Sequence, residues 1–89
     1  MASKTVTVGS SVGLHARPAA LIAEAAGEYD DEVTLRLGGT DADDAVDAAS
    51  SLMIMTLGAE KGAEVIVESD NADAVEAIAA LVAKDLDAE

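Results

Sequence analysis

The sequence predicts an α+β two-layer sandwich, with helices packed on one face of a small sheet. Three observations predict it. Short apolar runs of period two read as strands. Alanine- and leucine-rich segments with helical spacing lie between them. The chain has 89 residues, enough for one compact domain and too few for two. The element order is β-α-β-(β)-α-β-α, and helices sharing one face leave the other face of the sheet partly solvated.

Each element has its own local cause. Thr5-Val6-Thr7-Val8 alternates and ends at Gly9, giving the first strand. Ser10 to Gly13 is a polar loop. Ala16 to Ala26 is dense in Ala and Leu, with Leu21, Ile22 and Ala25 at helical spacing and Gly27 as a stop. Pro18 falls in the first turn, where a missing N–H costs little. Val33 to Leu37 alternates again and is followed by the Gly38-Gly39 turn. Asp41 to Ala49 is ambiguous: an edge strand around Ala45 to Asp47 is one reading, and a helix is the other. Ser50 or Ser51 caps a short helix through Leu52, Met53 and Met55, stopped at Gly58. Glu64 to Glu68 is the last strand. Asp70 or Asn71 caps a closing helix whose apolar stripe is Val75, Ile78, Leu81, Val82 and Leu86.

Composition excludes several function classes. Five Lys and Arg stand against 18 Asp and Glu, a net charge of −13. Such a surface repels phosphate backbones and anionic membranes. Tyr29 is the one aromatic residue, so the stacking platforms that bind single strands are missing. No nucleic-acid partner is expected. With no Cys and one His, disulfides and multi-histidine zinc sites are excluded. Asp41-Ala42-Asp43-Asp44 fails as a calcium loop, because Val46 and Leu52 stand where a glycine and a glutamate are needed. No apolar run reaches the ~20 residues of a membrane span, and the start of the chain lacks a signal-peptide core. The expectation is a soluble cytoplasmic protein without membrane insertion. Its acidity suits a salt-rich, halophilic cytoplasm, where self-repulsion is screened.

Chemistry concentrates in Gly13-Leu14-His15-Ala16-Arg17-Pro18. This segment enters a helix, whose first N–H groups lack internal partners and whose dipole is positive there, so it is a ready anion site. His15 supplies an imidazole that is nucleophilic when neutral, with a reference pKa of about 6.5. Arg17 supplies a permanent charge and a fork of donors matched to phosphate oxygens. Positioning and charge stabilisation are what phosphoryl transfer chiefly needs. A surface histidine beside an ordinary salt-bridging arginine is the other reading of these residues alone.

Gly13-Leu14-His15-Ala16-Arg17-Pro18-Ala19 resembles the active-site signature of the HPr family, the histidine-containing phosphocarriers of the phosphoenolpyruvate-dependent sugar phosphotransferase system. Ser50 to Gly62 is similar to that family's helix after its regulatory serine. The spacing fits with about four extra residues near Gly38 to Asp44. The resemblance spans residues 1–89 as a single domain. It implies an open-faced sandwich of four antiparallel strands beneath three helices.

It also implies roles. His15 Nδ1 takes a phosphoryl group from phospho-enzyme I and gives it to a sugar-specific enzyme IIA. Arg17 and the backbone N–H groups of Ala16 and Arg17 stabilise the phosphoryl oxygens. Leu14, Leu52 and Met55 are the implied docking residues, core packing being the other reading of each. Ser50 aligns with the serine that a dedicated kinase modifies in some members. Ala49 replaces the lysine that usually precedes that serine, and Ser51 replaces an apolar residue. Glu24 and Val12 also depart from the family pattern. No metal or organic cofactor is implied, and a serially docking carrier has reason to stay monomeric. Such a chain is a phosphorylated intermediate more than a catalyst in its own right. The alternative is an interaction or regulatory module of the same fold in which His15 is incidental.

Overall fold

The computed structural model describes residues 2–9, 13 and 16–84. The elements in chain order are β1 (Ala2–Thr7), α1 (Ala16–Ala26), β2 (Val33–Leu37), β3 (Val46–Asp47), α2 (Ser51–Thr56), β4 (Glu64–Ser69) and α3 (Ala72–Ala83). A 3-10 turn at Ala42–Asp44 precedes β3. The four strands form one antiparallel sheet in the order β1-β4-β2-β3. The last strand in sequence is therefore central, which fits its run of Val65, Ile66 and Val67.

Register explains which side chains face the helices. Lys4 pairs with Val67, and Val67 with Leu35; Val6 pairs with Val65, and Val65 with Leu37. Directly opposed residues share a face, so these rows lie under the helices. Leu35, Val65 and Val67 are fully buried there. They join Ala19 and Ile22 of α1, Ile54 of α2, and Val75, Ile78 and Val82 of α3 in one core cluster. Lys4, at the edge of that face, reaches up to Glu76 of α3 at 3.1 Å. On the opposite face Thr34, Arg36, Ile66 and Glu68 are only half-buried. Arg36 Nε donates to Glu68 Oε1 at 3.1 Å, diagonally across β2 and β4, and its Nη1 donates to the Thr40 carbonyl. One side chain thus ties the β2–β3 connection to the sheet.

Helix boundaries follow their caps. Asn71 Oδ1 accepts from the N–H groups of Asp73 and Ala74, which starts α3. Asp70, the other cap candidate, lies one residue short. Ser50, rather than Ser51, caps α2 by accepting from Met53 N at 3.3 Å. α1 and β2 have their expected limits.

Two expectations need correction, and one ambiguity is resolved. β1 spans Ala2–Thr7 rather than Thr5 to Val8, because β4 continues to Ser69 and pairs with Ala2 and Ser3. β4 likewise gains Ser69, buried at 1% exposure with its Oγ accepting from Asn71 N. The ambiguous Asp41 to Ala49 stretch follows the edge-strand reading and not the helix reading, with a short strand at the sheet edge within Ala45 to Asp47. It divides into the 3-10 turn and the two-residue β3, which pairs only Val46 and Asp47 with β2. Leu86, the last expected residue of the α3 stripe, lies outside the described residues. Among the described residues no helix is long and apolar enough to cross a membrane.

Candidate functional site

α1 begins at Ala16, directly after His15 in the chain. Its first turn holds no acidic residue. The leading N–H groups, those of Ala16 and Arg17, have no acceptor within the helix, and no carboxylate of that turn offsets the positive end of the dipole. Pro18 is buried and anchors the turn to the core, while Arg17 is exposed. Ala19, Ile22 and Ala26 are buried on α1, leaving Ala20, Leu21 and Glu24 exposed. His15, Leu14 and Val12 lie outside the described residues.

α2 packs beside α1. It buries Ile54 alone, with Leu52 exposed at 70%, Met53 at 43% and Met55 at 36%. Leu21 of α1 is also exposed, at 39%. Of the three expected docking residues, Leu52 and Met55 are therefore on the surface and not in the core. Met53 and Leu21 are exposed apolar residues outside that expected set. The signal for Met53 was present: a helix of six residues can send only a narrow stripe inward, so a run of Leu-Met-Ile-Met must leave most of its members outside.

Charge marks the same region. Residues 1–23 and 48–59 contain no Asp or Glu, and all 18 acids fall elsewhere. The start of α1 and the whole of α2 belong to these two acid-free stretches. In a chain of net charge −13, these two segments carry no acid of their own, and the exposed Arg17 lies in the first of them. Ser50 lies in the second, with its hydroxyl engaged as the α2 cap.

Two shallow grooves flank these helices. One lies between α2 and the β2–β3 connection, lined by Leu37, Thr40, Asp44, Val46, Thr56 and Leu57. The other runs between α1 and α3, beside Leu21, Glu24 and Leu81. Neither is an enclosed pocket for an organic cofactor. Among the described residues no group of three or more His, Cys, Asp or Glu is placed to hold a metal ion.

An open-faced sandwich whose first helix starts on a His-Ala-Arg-Pro sequence points to the phosphocarriers of the phosphotransferase system. Comparison with known proteins agrees. The PTS-HPr family model, described as the PTS HPr component phosphorylation site, matches residues 2–84. The chain belongs to the PTS-HPr family. It is 42% identical over 73 residues to a phosphocarrier protein HPr of Haloferax volcanii, covering 80% of each chain. It is similar to the crystal structure of a phosphocarrier protein HPr from Bacillus anthracis, with 32% identity, a TM-score of 0.78, and coverage of 91% of this chain and 95% of that one. It is also similar to the crystal structure of HPr-C-His from Thermoanaerobacter tengcongensis, with 27% identity, a TM-score of 0.83, and coverage of 100% and 99%.

Proposed function

We propose that this chain carries phosphoryl groups on His15. The imidazole Nδ1 attacks phosphorus on phospho-enzyme I. A new N–P bond forms as the bond from phosphorus to the donor breaks, and the phosphoryl group is later passed to an enzyme IIA. Arg17 and the N–H groups of Ala16 and Arg17 supply the charge and donors that hold the three oxygens. The observation that carries this reading is the start of α1 immediately after His15, with an acid-free first turn and Arg17 exposed on it. Family membership supports a phosphocarrier role in general.

Leu14, Leu52 and Met55 form the docking surface in this reading, and Met53 and Leu21 extend it. Docking is apolar and works at high salt, since a chain at −13 gains nothing from attraction to acidic partners. The carrier acts as a monomer in a salt-rich cytoplasm and serves sugar uptake. Stability should rise with KCl; equal stability in dilute buffer would contradict salt adaptation. Ser50 is a candidate site for a serine kinase, because phosphate at the N-cap of α2 meets the positive end of its dipole. Incubation with ATP and such a kinase should add one phosphoryl group to the parent and none to Ser50→Ala.

Intact mass tests the main proposal. After incubation with phosphoenolpyruvate and enzyme I in high KCl, the parent should gain one acid-labile phosphoryl group and His15→Ala none. An unchanged parent, beside an enzyme I that phosphorylates itself, would favour the interaction module instead.

A further inference from the structure

Gly13 is buried and adopts φ of 76°. A Cβ at this position would stand 2.5 Å from the carbonyl oxygen of Ala59 and 2.9 Å from the Cα of Glu60. Both obstacles are backbone, so neither can rotate aside as a side chain would. The seat itself is firm. Ala59 is 4% exposed. Just beyond it, Gly62 N donates to Val8 O at 3.0 Å and Val8 N donates to Ala63 O at 2.9 Å. The turn that follows α2 therefore grips the chain at Val8 and again at Gly13. Gly13 precedes His15 by two residues, and each residue spans at most ~3.6 Å. In the sequence His15 thus lies between this seat and the first residue of α1, to which it is bonded.

We propose that Gly13 is a positioning residue for His15: its contact with the Ala59–Glu60 backbone sets where the imidazole meets phosphorus. This rests on the reading of His15 as the carrier. Reacting groups must be held to fractions of an ångström, and a displacement of about 1 Å can cost about 100-fold in rate. Moving a Cβ from 2.5 Å to ordinary contact demands a shift of that size. Sequence reasoning did not reach this, because the partner of Gly13 lies beyond α2.

Gly39 supplies a control, since it has φ of 85° with nothing within 4 Å of a built Cβ. Gly39→Ala carries the backbone strain without the collision. Single-turnover transfer from phospho-enzyme I is measured at rising donor concentration for the parent, Gly13→Ala, Gly39→Ala and Ala59→Gly. Melting curves give the folded fraction, and proton NMR follows the one imidazole in the chain. The saturated rate of Gly13→Ala should fall about 100-fold, with the half-saturation concentration nearly unchanged and the imidazole signals shifted. Gly39→Ala should melt earlier and keep the parent's saturated rate and signals. Ala59→Gly keeps the obstructing carbonyl but loosens the backbone behind it, so it should lose several-fold. A folded Gly13→Ala with the parent's saturated rate would overturn the inference. Should Gly13→Ala fail to fold, a parent-like rate and spectrum in Ala59→Gly would overturn it. A parent that accepts no phosphoryl group at all would overturn the carrier reading and this inference together, a result distinct from either of the others.

Discussion

α2 and α3 are both apolar helices, yet α3 buries Ala74, Val75, Ile78, Ala79 and Val82 while α2 buries only Ile54 and holds Leu52, Met53 and Met55 at the surface. Length and position separate them. Twelve residues give α3 a continuous stripe over β1 and β4. Six residues give α2 less than two turns, too few to persist in isolation, so it is held by the Ser50 cap and by Ile54. Apolar content alone therefore does not mark the core: one helix places it inside, and the other, packed against α1, offers it outward. A grouped apolar surface on an otherwise acidic chain is the kind of patch that meets a partner.

Mutations at matched positions break or sharpen this contrast. The largest stability effect should come from Ile78→Ala, which empties a fully buried site under α3. It should cost about 2–5 kcal/mol by denaturant titration, and a cost near zero would mean α3 does not form the core. Next come the caps. Asn71→Ala and Ser50→Ala remove the side-chain oxygens that accept from the first turns of α3 and α2, and each should cost about 1 kcal/mol. Leu52→Ala should change stability by no more than about 0.5 kcal/mol because the side chain is largely exposed. The same substitution should raise the half-saturation concentration for phospho-enzyme I about fivefold or more; unchanged docking would remove Leu52 from the interface. The smallest effect should be that of Lys4→Ala. It breaks a pair whose side chains are 47% and 64% exposed, costing about 0.5 kcal/mol or less in melting experiments, and less still in high KCl.

Much of the fold was legible because local rules agreed with the tertiary outcome. α1 and β2 had helical spacing, period-two alternation and glycine stops, and the structure keeps their limits. Pairing between distant strands was not legible. The early start of β1 and the extra residue of β4 both arise from register across more than sixty residues of chain. β3 was ambiguous for the opposite reason: two residues of strand carry almost no pattern of their own. At the candidate site, residue types marked where a histidine, an arginine and a helix start follow one another in the chain. They did not show that Leu21 faces out while Ile22 faces in, since adjacent apolar residues at a helix edge are told apart only by what packs against them. The seat of Gly13 on Ala59 was equally hidden, being a contact between two backbones.

Carriage of a phosphoryl group requires release as well as capture. The most direct test is a chase. The chain is phosphorylated with labelled phosphoenolpyruvate and enzyme I, separated from both, and mixed with an enzyme IIA in high KCl. The label should leave His15 and appear on enzyme IIA within seconds, with none transferred from a His15→Ala preparation. Label that stays on the chain with every available enzyme IIA, or that reaches enzyme IIA equally well through His15→Ala, would contradict the account.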